Sequence, residues 1–452
     1  MKIDFEHLGS IEQGSITLND FTLFCGKNNS GKTYAMYSLY GLLDKEFDIR
    51  FDFVKKIMQQ LKEKGTYQLN ICDVILEQQN SMIKHIEQHF QAYLPRLFGV
   101  ANNQFEKTRV NLDFDSEDLK CRAIKKAANF EFSLGKNKDW TLLIVKKENN
   151  YLVDLTLQNV EIPDSLLQQF ISESLVSIIF TGLSKNSFLL PAERAGLNLF
   201  FKELSSTRNL LLQHAQKDNI NPMELLKDII ESRYADPIQD YIQYLNTINT
   251  HKAKKSNYRN YAQAIQKTVL NGKYDVDKQG NVSFMPYRSN NAVLPLHYSS
   301  STVKTFFGLV FYLEHLAKEG DCVMIDEPEL NLHPDNQRQV ARVLAQLVNA
   351  GLKVIVSTHS DYFIRELNNL IMLKKDFSGA KELQNKYGYQ DNELLDGKQM
   401  SAYLFDNNKI TPMPLDEDEG VIAETFDSVI NNLNKSSNEI YYAMQDAKEQ
   451  ID

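Results

Sequence analysis

The chain has 452 residues, and its 50 Lys and Arg against 59 Asp and Glu give a formal net charge of −9. Hydrophobic residues make up 42% and charged residues 24%, which is typical of a folded globular protein and excludes a disordered chain. The length predicts roughly three domain-sized units. The negative charge excludes a general attraction to nucleic acid, so any such contact needs a local basic patch.

No stretch approaches the run of about 18 apolar residues that spans a membrane, and the first residues lack the pattern of a secretory signal. The four cysteines (Cys25, Cys72, Cys121 and Cys322) lie far apart and form no CxxC pair, as in proteins of a reducing compartment. We therefore expect a cytoplasmic protein with no membrane partner.

In chain order, hydrophobic periodicity predicts short strands within 1–26 and then a helix over 33–43. Residues 45–108 are predicted mostly helical and 109–161 as antiparallel strands. The later predicted elements are a helix at 165–180, a strand at 187–190, helices within 195–270, loops and short strands at 271–297, a helix at 302–318, strands at 322–325 and 354–356 with a helix at 336–349 between them, and a hairpin at 401–415.

A phosphate-binding pattern, G-x-x-x-x-G-K-[ST], lies between the first apolar strand and the first helix. Its members are Gly26, Lys27, Asn28, Asn29, Ser30, Gly31, Lys32 and Thr33. The glycines let backbone N–H groups surround phosphate oxygens, and the helix N-terminus adds partial positive charge. Lys32 is predicted to reach the β- and γ-phosphates, and Thr33 to ligate Mg²⁺.

Two carboxylates end the apolar strand at 322–325. Asp326 is predicted to hold Mg²⁺, and Glu327 to orient and polarise an attacking water. His359 follows the next apolar strand, where the carboxyl end of a parallel strand brings it within reach of a γ-phosphate. A plain acidic turn and a polar strand end are the structural alternatives for these residues.

The ordered motifs resemble those of ABC-type ATPases of the RecF, SMC and OLD-like branch. The segments IDEPELNLHPDNQ and STHSDYFIREL, with Pro191–Arg194, look most like the ATPase subunits of bacterial anti-phage systems of the PARIS, Septu and retron-associated types. The resemblance implies an α/β fold: an ABC-ATPase P-loop head with a mixed β-sheet and an inserted, mainly helical lobe. The expected units are 1–44 with 109–197 (first part of the head), 45–108 (helical insertion), 198–270 (helical lobe), 271–435 (second part of the head) and 436–452 (terminal helix or tail).

The resemblance further implies that two protomers sandwich ATP with Mg²⁺, as a head-to-tail dimer or a higher homo-oligomer. The signature position falls at Ser299, Ser300 and Ser301, which open a helix but lack the glycine of LSGGQ; a Ser/Thr helix cap is the alternative. The D-loop falls at 331–334. Arg194 is a candidate polar contact, with a structural salt bridge as the alternative.

By the same resemblance, the protein is a slow, regulatory ATPase that acts as sensor or scaffold of an anti-phage system. Its expected partners are a separate effector such as a nuclease, and a trigger that is DNA or a phage protein. The alternatives are a DNA-clamping repair or SMC-like ATPase, and an OLD-like nuclease; a transporter subunit is more distant.

Three further features bear on these alternatives. The segment 251–261 interleaves cations with aromatics, as a nucleic-acid surface would, although a solvated helix face is the plainer interpretation. Asp416 and Asp418 form a D-x-D, but too few residues follow His359 for a nuclease domain of the usual size. His85 and His89 share a helix face without further metal ligands.

Overall fold

The computed structural model describes residues 1–44, 49–134, 140–158, 162–180, 187–204, 234–288, 292–416, 418–422 and 424–449. The strands are β1 (Lys2–Leu8), β2 (Ile11–Thr17), β3 (Phe21–Gly26), β4 (Thr66–Asn70), β5 (Arg109–Asp113), β6 (Ala128–Leu134), β7 (Trp140–Lys146), β8 (Leu152–Gln158), β9 (Ser187–Leu190), β10 (Gly272–Val276), β11 (Val282–Pro286), β12 (Leu294–Pro295), β13 (Cys322–Asp326), β14 (Lys353–Thr358), β15 (Met400–Asp406), β16 (Lys409–Pro412), β17 (Leu415–Asp416) and β18 (Gly420–Val421).

The α-helices are α1 (Lys32–Asp44), α2 (Val54–Lys64), α3 (Ile71–Phe98), α4 (Ser116–Lys125), α5 (Asp164–Ile179), α6 (Asp236–Asn246), α7 (Ile248–His251), α8 (Arg259–Ile265), α9 (Ser301–His315), α10 (Pro334–Asn349), α11 (Asp361–Lys374), α12 (Ala380–Tyr387) and α13 (Glu424–Glu449). Residues 194–204 are also helical. None of the helices in the described ranges is both long and apolar enough to cross a membrane.

A nine-stranded mixed sheet organises the fold, in the order β5-β1-β2-β16-β15-β3-β14-β13-β9. Strand β3 pairs in parallel with β14 and β15, and β13 pairs in parallel with β14 and β9. Every residue of β3 and β13 is buried, because helices cover both faces of this part of the sheet. That burial explains the continuous apolar runs of these strands. The mixed α/β fold class predicted from the sequence is confirmed.

The other end of the sheet is antiparallel, with β1 between β2 and β5. Strands β15 and β16 form the predicted hairpin, and β16 joins it in parallel to β2. Two hydrophobic clusters fill the protein. One joins α1 to β1, β2 and the segment from α2 to α5, and the other packs α6 and α8–α11 against β3, β13 and β14.

A second sheet of four antiparallel strands, β4-β8-β7-β6, lies outside the large one. Strands β5 to β8 confirm the antiparallel prediction for 109–161. The prediction for 45–108 missed β4, whose register with β8 pairs Thr66 with Thr156 and Asn70 with Leu152. Pairing with a strand more than eighty residues away decides the conformation of this short segment, and no local pattern records it.

Several helix predictions agree with the structure within a few residues. Helix α5 begins at Asp164, and α9 begins at Ser301 but ends at His315, three residues before the predicted end. The helices predicted within 195–270 are present at 194–204 and in α6 to α8, whereas residues 205–233 lie outside the described part of the chain. The domain limits proposed from the sequence stay predictions.

Candidate active site

The predicted phosphate loop connects β3 to α1, which is the strand–loop–helix context that the motif requires. Gly26 and Gly31 have φ of +145° and +102°. A Cβ at Gly26 would lie 2.3 Å from the carbonyl oxygen of Phe405, and a Cβ at Gly31 would lie 2.6 Å from Ile11 Cγ1. Both glycines are therefore required by backbone conformation and by close approach of the neighbouring strands.

The side chain of Lys32 folds back over this loop and is only 5% exposed. Its Nζ donates to the carbonyl oxygens of Gly26 (3.0 Å) and Lys27 (2.8 Å), and lies 3.5 Å from Ser30 Oγ. Burial lowers the pKa of the Lys32 ammonium, whereas the carboxylates of Asp326 and Glu327 act to raise it. The loop thus holds a poorly solvated cation where phosphate oxygens are able to replace the carbonyls.

Asp326 ends β13 beside the first turn of α1. Its Oδ2 accepts a hydrogen bond from Thr33 Oγ1 at 3.1 Å, and its Oδ1 accepts one from the Ser357 hydroxyl. Burial raises the pKa of the Asp326 carboxyl, and repulsion from Glu327 adds to the shift. A buried carboxylate beside a hydroxyl offers the hard oxygen ligands that Mg²⁺ prefers, and Mg²⁺ completes its shell with water and phosphates. The donor set therefore fits the predicted metal.

Glu327 follows Asp326 in a left-handed backbone conformation, with φ of +53°. Its N–H donates to the carbonyl (3.1 Å) and the hydroxyl (3.2 Å) of Ser357, which hold the turn. Its Oε1 lies 3.2 Å from Nε2 of His359. The hydrogen bond with His359, together with the charge of that ring, holds the pKa of Glu327 below its usual range. The structure thus brings together the two residues predicted for catalysis.

Glu329 is a member of this site that the sequence analysis missed. Its Oε1 accepts from Thr358 Oγ1 at 2.8 Å and from the backbone N–H of His359 at 2.6 Å. Its Oε2 is buried and has no hydrogen-bond partner among the residues that the structure describes, and burial raises the pKa of this carboxyl. Glu329 fixes the turn that carries His359. The available signal was a third acidic residue two positions after Glu327.

Arg194 is fully buried against the same turn, where it makes polar contacts and, among the described residues, not the alternative salt bridge. Its Nη1 donates to the carbonyl oxygens of Pro191 (3.0 Å) and Asp326 (2.5 Å), and its Nη2 to that of Glu327 (2.6 Å). Carbonyls rather than carboxylates satisfy the guanidinium because the two acidic side chains point toward Thr33 and His359. Arg194 therefore holds the backbone of the acidic turn in place.

The serines of the predicted signature lie at the start of α9. Ser300 is the N-cap and accepts from Val303 N–H at 3.3 Å, and Ser299 Oγ donates to the Pro295 carbonyl at 3.4 Å. Thr302 Oγ1 donates to the carbonyl of Asn331 at 2.9 Å, which ties α9 to the predicted D-loop. Within the described ranges, no hydrogen bond joins Ser299, Ser300 or Ser301 to loop 26–33 of the same protomer. Their role across an interface stays a prediction.

The basic segment at 251–261 is less available than its sequence indicates. Lys252 donates to the Asp277 carbonyl at 2.8 Å, and Arg259 pairs with Glu314 at 3.1 Å. Tyr258 is buried, and of the three lysines in the segment only Lys254 and Lys255 are exposed. The segment therefore offers little aromatic surface for stacking.

In the acidic run at 416–419, the carboxylate of Asp416 binds backbone N–H groups of two later residues. Asp416 Oδ1 accepts from the N–H groups of Asp418 (2.7 Å) and Glu419 (3.0 Å), and Lys375 pairs with Asp418 at 2.9 Å. His85 binds the Ser81 carbonyl through Nδ1. In the part of the chain that the structure describes, no group of three or more His, Cys, Asp or Glu side chains is arranged to hold a metal ion.

The fold and this site define a P-loop nucleoside-triphosphatase of the mixed-sheet, ABC-like class. Residues 1–364 match the family model described as "AAA ATPase domain", so the chain belongs to that family and is an ATPase. The resemblance to RecF-, SMC- and OLD-like ATPases is confirmed at the level of this class.

Two curated proteins are similar in sequence to parts of this chain. The chain is 21% identical over 415 residues to "Endonuclease GajA" of Bacillus cereus (strain HuB5-5), covering 81% of this chain and 55% of that protein. It is 36% identical over 81 residues to "Old nuclease" of Escherichia phage P2, covering 16% of this chain and 14% of that protein. The chain thus spans about half the length of the first relative and a small part of the second.

Two solved structures also resemble the fold. The "SMC head domain from Thermotoga maritima" matches with a TM-score of 0.31 and 10% identity, covering 92% of this chain and 98% of that one. An SMC head bound to the C-terminal winged-helix domain of ScpA matches with a TM-score of 0.34, 11% identity and the same coverage. Both TM-scores lie below 0.5, so neither likeness bears on function.

Proposed function

We propose that this ATPase binds ATP and Mg²⁺ at loop 26–33 and hydrolyses the γ-phosphate with Glu327 as the residue that directs water. The observation that supports the proposal most is the pair of contacts Thr33–Asp326 (3.1 Å) and Glu327–His359 (3.2 Å) beside a buried Lys32. These contacts support the proposal because Lys32, the oxygens of Thr33 and Asp326, and a carboxylate of lowered pKa all follow the carboxyl ends of β3 and β13.

Each side chain has a distinct task in this scheme. The backbone N–H groups of the loop and Lys32 hold the β- and γ-phosphates, and they neutralise the charge that grows in the transition state. Thr33 and Asp326 are the residues that hold Mg²⁺, which supplies charge stabilisation at the phosphates when bound. Glu327 accepts a hydrogen bond from the attacking water and aims its oxygen at the γ-phosphorus.

His359 completes the polar edge of the site. Its ring hydrogen-bonds the Glu327 carboxylate, which keeps that carboxylate ionised and pointed in one direction. The strained φ of Glu327 supports this assignment, because such conformations persist where the surrounding contacts enforce them. Arg194 and Ser357 provide those contacts from both sides of the turn.

We further propose that ATP closes two protomers head to tail, with Ser300 and Ser301 of one copy facing the γ-phosphate held by the other, and that hydrolysis reopens them. The exposure of Ser300 and Ser301 supports this step, since the hydroxyls and backbone N–H groups at a helix N-terminus suit an anion presented from outside. In this scheme the turnover of ATP is slow, and its function is to regulate the opening and closing of the dimer.

The cellular role that we propose is a sensor or scaffold of an anti-phage system that controls a separate nuclease effector. Similarity to an endonuclease over 81% of the chain supports a link to nucleic-acid cleavage. The sequence motifs that resemble anti-phage ATPase subunits support the separate effector. The trigger in this scheme is DNA or a phage protein.

A second candidate is that the chain itself cleaves nucleic acid, which the name of the same relative favours. That candidate predicts metal-dependent cleavage by the purified chain, abolished by Asp416→Ala together with Asp418→Ala. Our proposal predicts no cleavage until the effector is added.

The alternative of a DNA-clamping ATPase predicts DNA-stimulated turnover that is lost when Lys254 and Lys255 are changed to Glu.

Glu327→Gln tests the proposed site directly. The amide keeps the size of the side chain but cannot act as a base, so we expect ATP affinity to persist and turnover to fall by a factor of about 10²–10⁴. Light scattering with ATP and Mg²⁺ should show the variant trapped as a dimer. Glu382→Gln, on the exposed face of α12, is the matched control. Wild-type turnover in Glu327→Gln would remove Glu327 from this role.

A further inference from the structure

A cavity of about 230 Å³ opens beside Thr33, at the first turn of α1. Its other walls are Gly9 and the rings of Tyr34, Tyr37, Phe98 and Phe105, together with Gln104. Pockets that enclose a whole drug-sized ligand hold about 300–1,000 Å³, so this cavity suits one planar end of a nucleotide.

The strands on the two sides of β3 differ in what they bring to the phosphate loop. Strands β14 and β13, which carry His359 and Glu327, lie on one side of β3. Strands β15, β16, β2 and β1 lie on the other side, where the β1–β2 turn brings Ile11 against Gly31. A triphosphate whose γ end faces Glu327 therefore extends its sugar and base toward that turn and past the first turn of α1.

Four aromatic rings line the cavity. Tyr34 and Phe98 have ring centroids 5.3 Å apart, and Phe98 and Phe105 have centroids 5.0 Å apart. Gly9 lies against the ring of Tyr34, where a Cβ would come within 2.6 Å of it. Tyr34 is 38% exposed, which leaves part of its ring open. Aromatic rings of this kind stack on nucleobases.

Gln104 supplies polar recognition at the rim. It lies in the short 3₁₀ helix Asn102–Phe105, its side chain is exposed, and its amide has no hydrogen-bond partner among the described residues. A glutamine amide presents one acceptor and two donors side by side, the pattern that pairs with N6 and N7 of adenine. Guanine presents two acceptors on that edge, so the same amide pairs less well with it.

Resting on the proposed function of loop 26–33, we propose that this aromatic cavity binds the base of the nucleotide and that Gln104 selects adenine over guanine. The residues that form it come from the β1–β2 turn, α1 and the segment after α3. The region from α3 to β5 therefore takes part in nucleotide choice as well as in packing.

The test measures the affinities of ATP, GTP and inorganic tripolyphosphate by calorimetry, for the wild type and for Tyr34→Leu and Gln104→Leu. We expect Tyr34→Leu to weaken ATP about tenfold and to leave tripolyphosphate unchanged, because only the base loses its stacking partner. We expect Gln104→Leu to bind ATP and GTP with similar affinities, because the amide that distinguishes adenine from guanine is lost. Tyr151→Leu, an exposed tyrosine of the second sheet, is the matched control.

The outcomes separate this proposal from the one on which it rests. Equal affinity of the wild type for ATP and tripolyphosphate would contradict the base cavity and leave the phosphate site supported. Equal weakening of both ligands by Tyr34→Leu would have the same meaning. Wild-type protein that binds neither compound overturns both proposals. Thermal unfolding of each variant shows whether a loss of affinity reflects a loss of fold, and a fully folded Gln104→Leu that still prefers ATP refutes the selection of adenine.

Discussion

Two buried lysines, Lys32 beside the large sheet and Lys146 in the second sheet, both donate hydrogen bonds to backbone carbonyls. Their surroundings differ. Lys32 donates to carbonyls of the phosphate loop, and Lys146 donates to the carbonyls of Ile124 (2.9 Å), Lys126 (2.6 Å) and Lys147 (3.2 Å). Burial lowers the pKa of both ammonium groups.

The difference lies in the neighbouring charges and in the backbone. The carboxylates of Asp326, Glu327 and Glu329 act to raise the pKa of Lys32, whereas the Cys72 thiol acts on that of Lys146. The carbonyls around Lys32 belong to a loop with positive φ at three positions, and those around Lys146 belong to the second sheet and the end of α4. A buried lysine therefore indicates a phosphate site only where acidic groups and an adaptable glycine loop accompany it.

The matched pair Lys32→Met and Lys146→Met gives the largest expected effect. Removal of the cation that stabilises the transferred phosphate should lower turnover by a factor of about 10²–10³ in Lys32→Met. In Lys146→Met the orphaned carbonyls should lower the free energy of unfolding by about 3 kcal/mol while turnover per folded molecule persists. Steady-state phosphate release and urea unfolding of both variants measure the two effects. Equal loss of turnover in both would break the comparison.

His359→Ala should have a smaller effect on rate and a distinctive effect on pH dependence. The carboxylate of Glu327 acts only when deprotonated, so turnover declines as the pH falls through its pKa. Because His359 holds that pKa down, its removal lets the pKa rise, and the acidic limb of the pH–rate profile should move to higher pH. We expect turnover at neutral pH to fall about tenfold. An acidic limb that stays in place would show that the pair is not coupled.

Glu329→Ala tests whether a residue that touches no substrate positions His359. Its loss leaves the His359 N–H and the Thr358 hydroxyl without their acceptor, which should destabilise the fold by about 2 kcal/mol and lower kcat more than it raises KM. Glu329→Gln keeps an acceptor oxygen and should restore much of the rate. A kcat unchanged in Glu329→Ala would reduce the residue to a purely structural role.

Asp326→Asn gives the smallest expected effect on stability, and the sign of that effect follows from the raised pKa of the carboxyl. A carboxyl whose pKa is raised by folding binds its proton more tightly in the folded state, so its contribution to stability is present at low pH and is lost as the pH rises through that pKa. The variant should therefore melt a few degrees higher than the wild type at pH 7, with a gap that closes toward pH ~3. A lower melting temperature at pH 7, by calorimetry, would contradict the cause assigned to this shift.

Local sequence patterns were sufficient to predict the phosphate loop, the acidic strand end and the His359 strand, because each belongs to one strand and the residues beside it. The same patterns singled out Arg194 but did not reveal its partners, the carbonyl groups of Asp326 and Glu327, which lie more than 130 positions away. The cavity between Gly9, Tyr34 and Phe98 was missed for the same reason: three distant segments form it. Such contacts depend on how the elements pack, which periodicity does not record.

The structure of Glu327→Gln determined with ATP and Mg²⁺ tests the central claim most directly. The account predicts a triphosphate over loop 26–33 with Lys32 at its β- and γ-phosphates, the metal ion between Thr33 and Asp326, and the γ-phosphate facing residue 327. A loop left empty at saturating ATP, or a nucleotide held elsewhere in the protein, would contradict it.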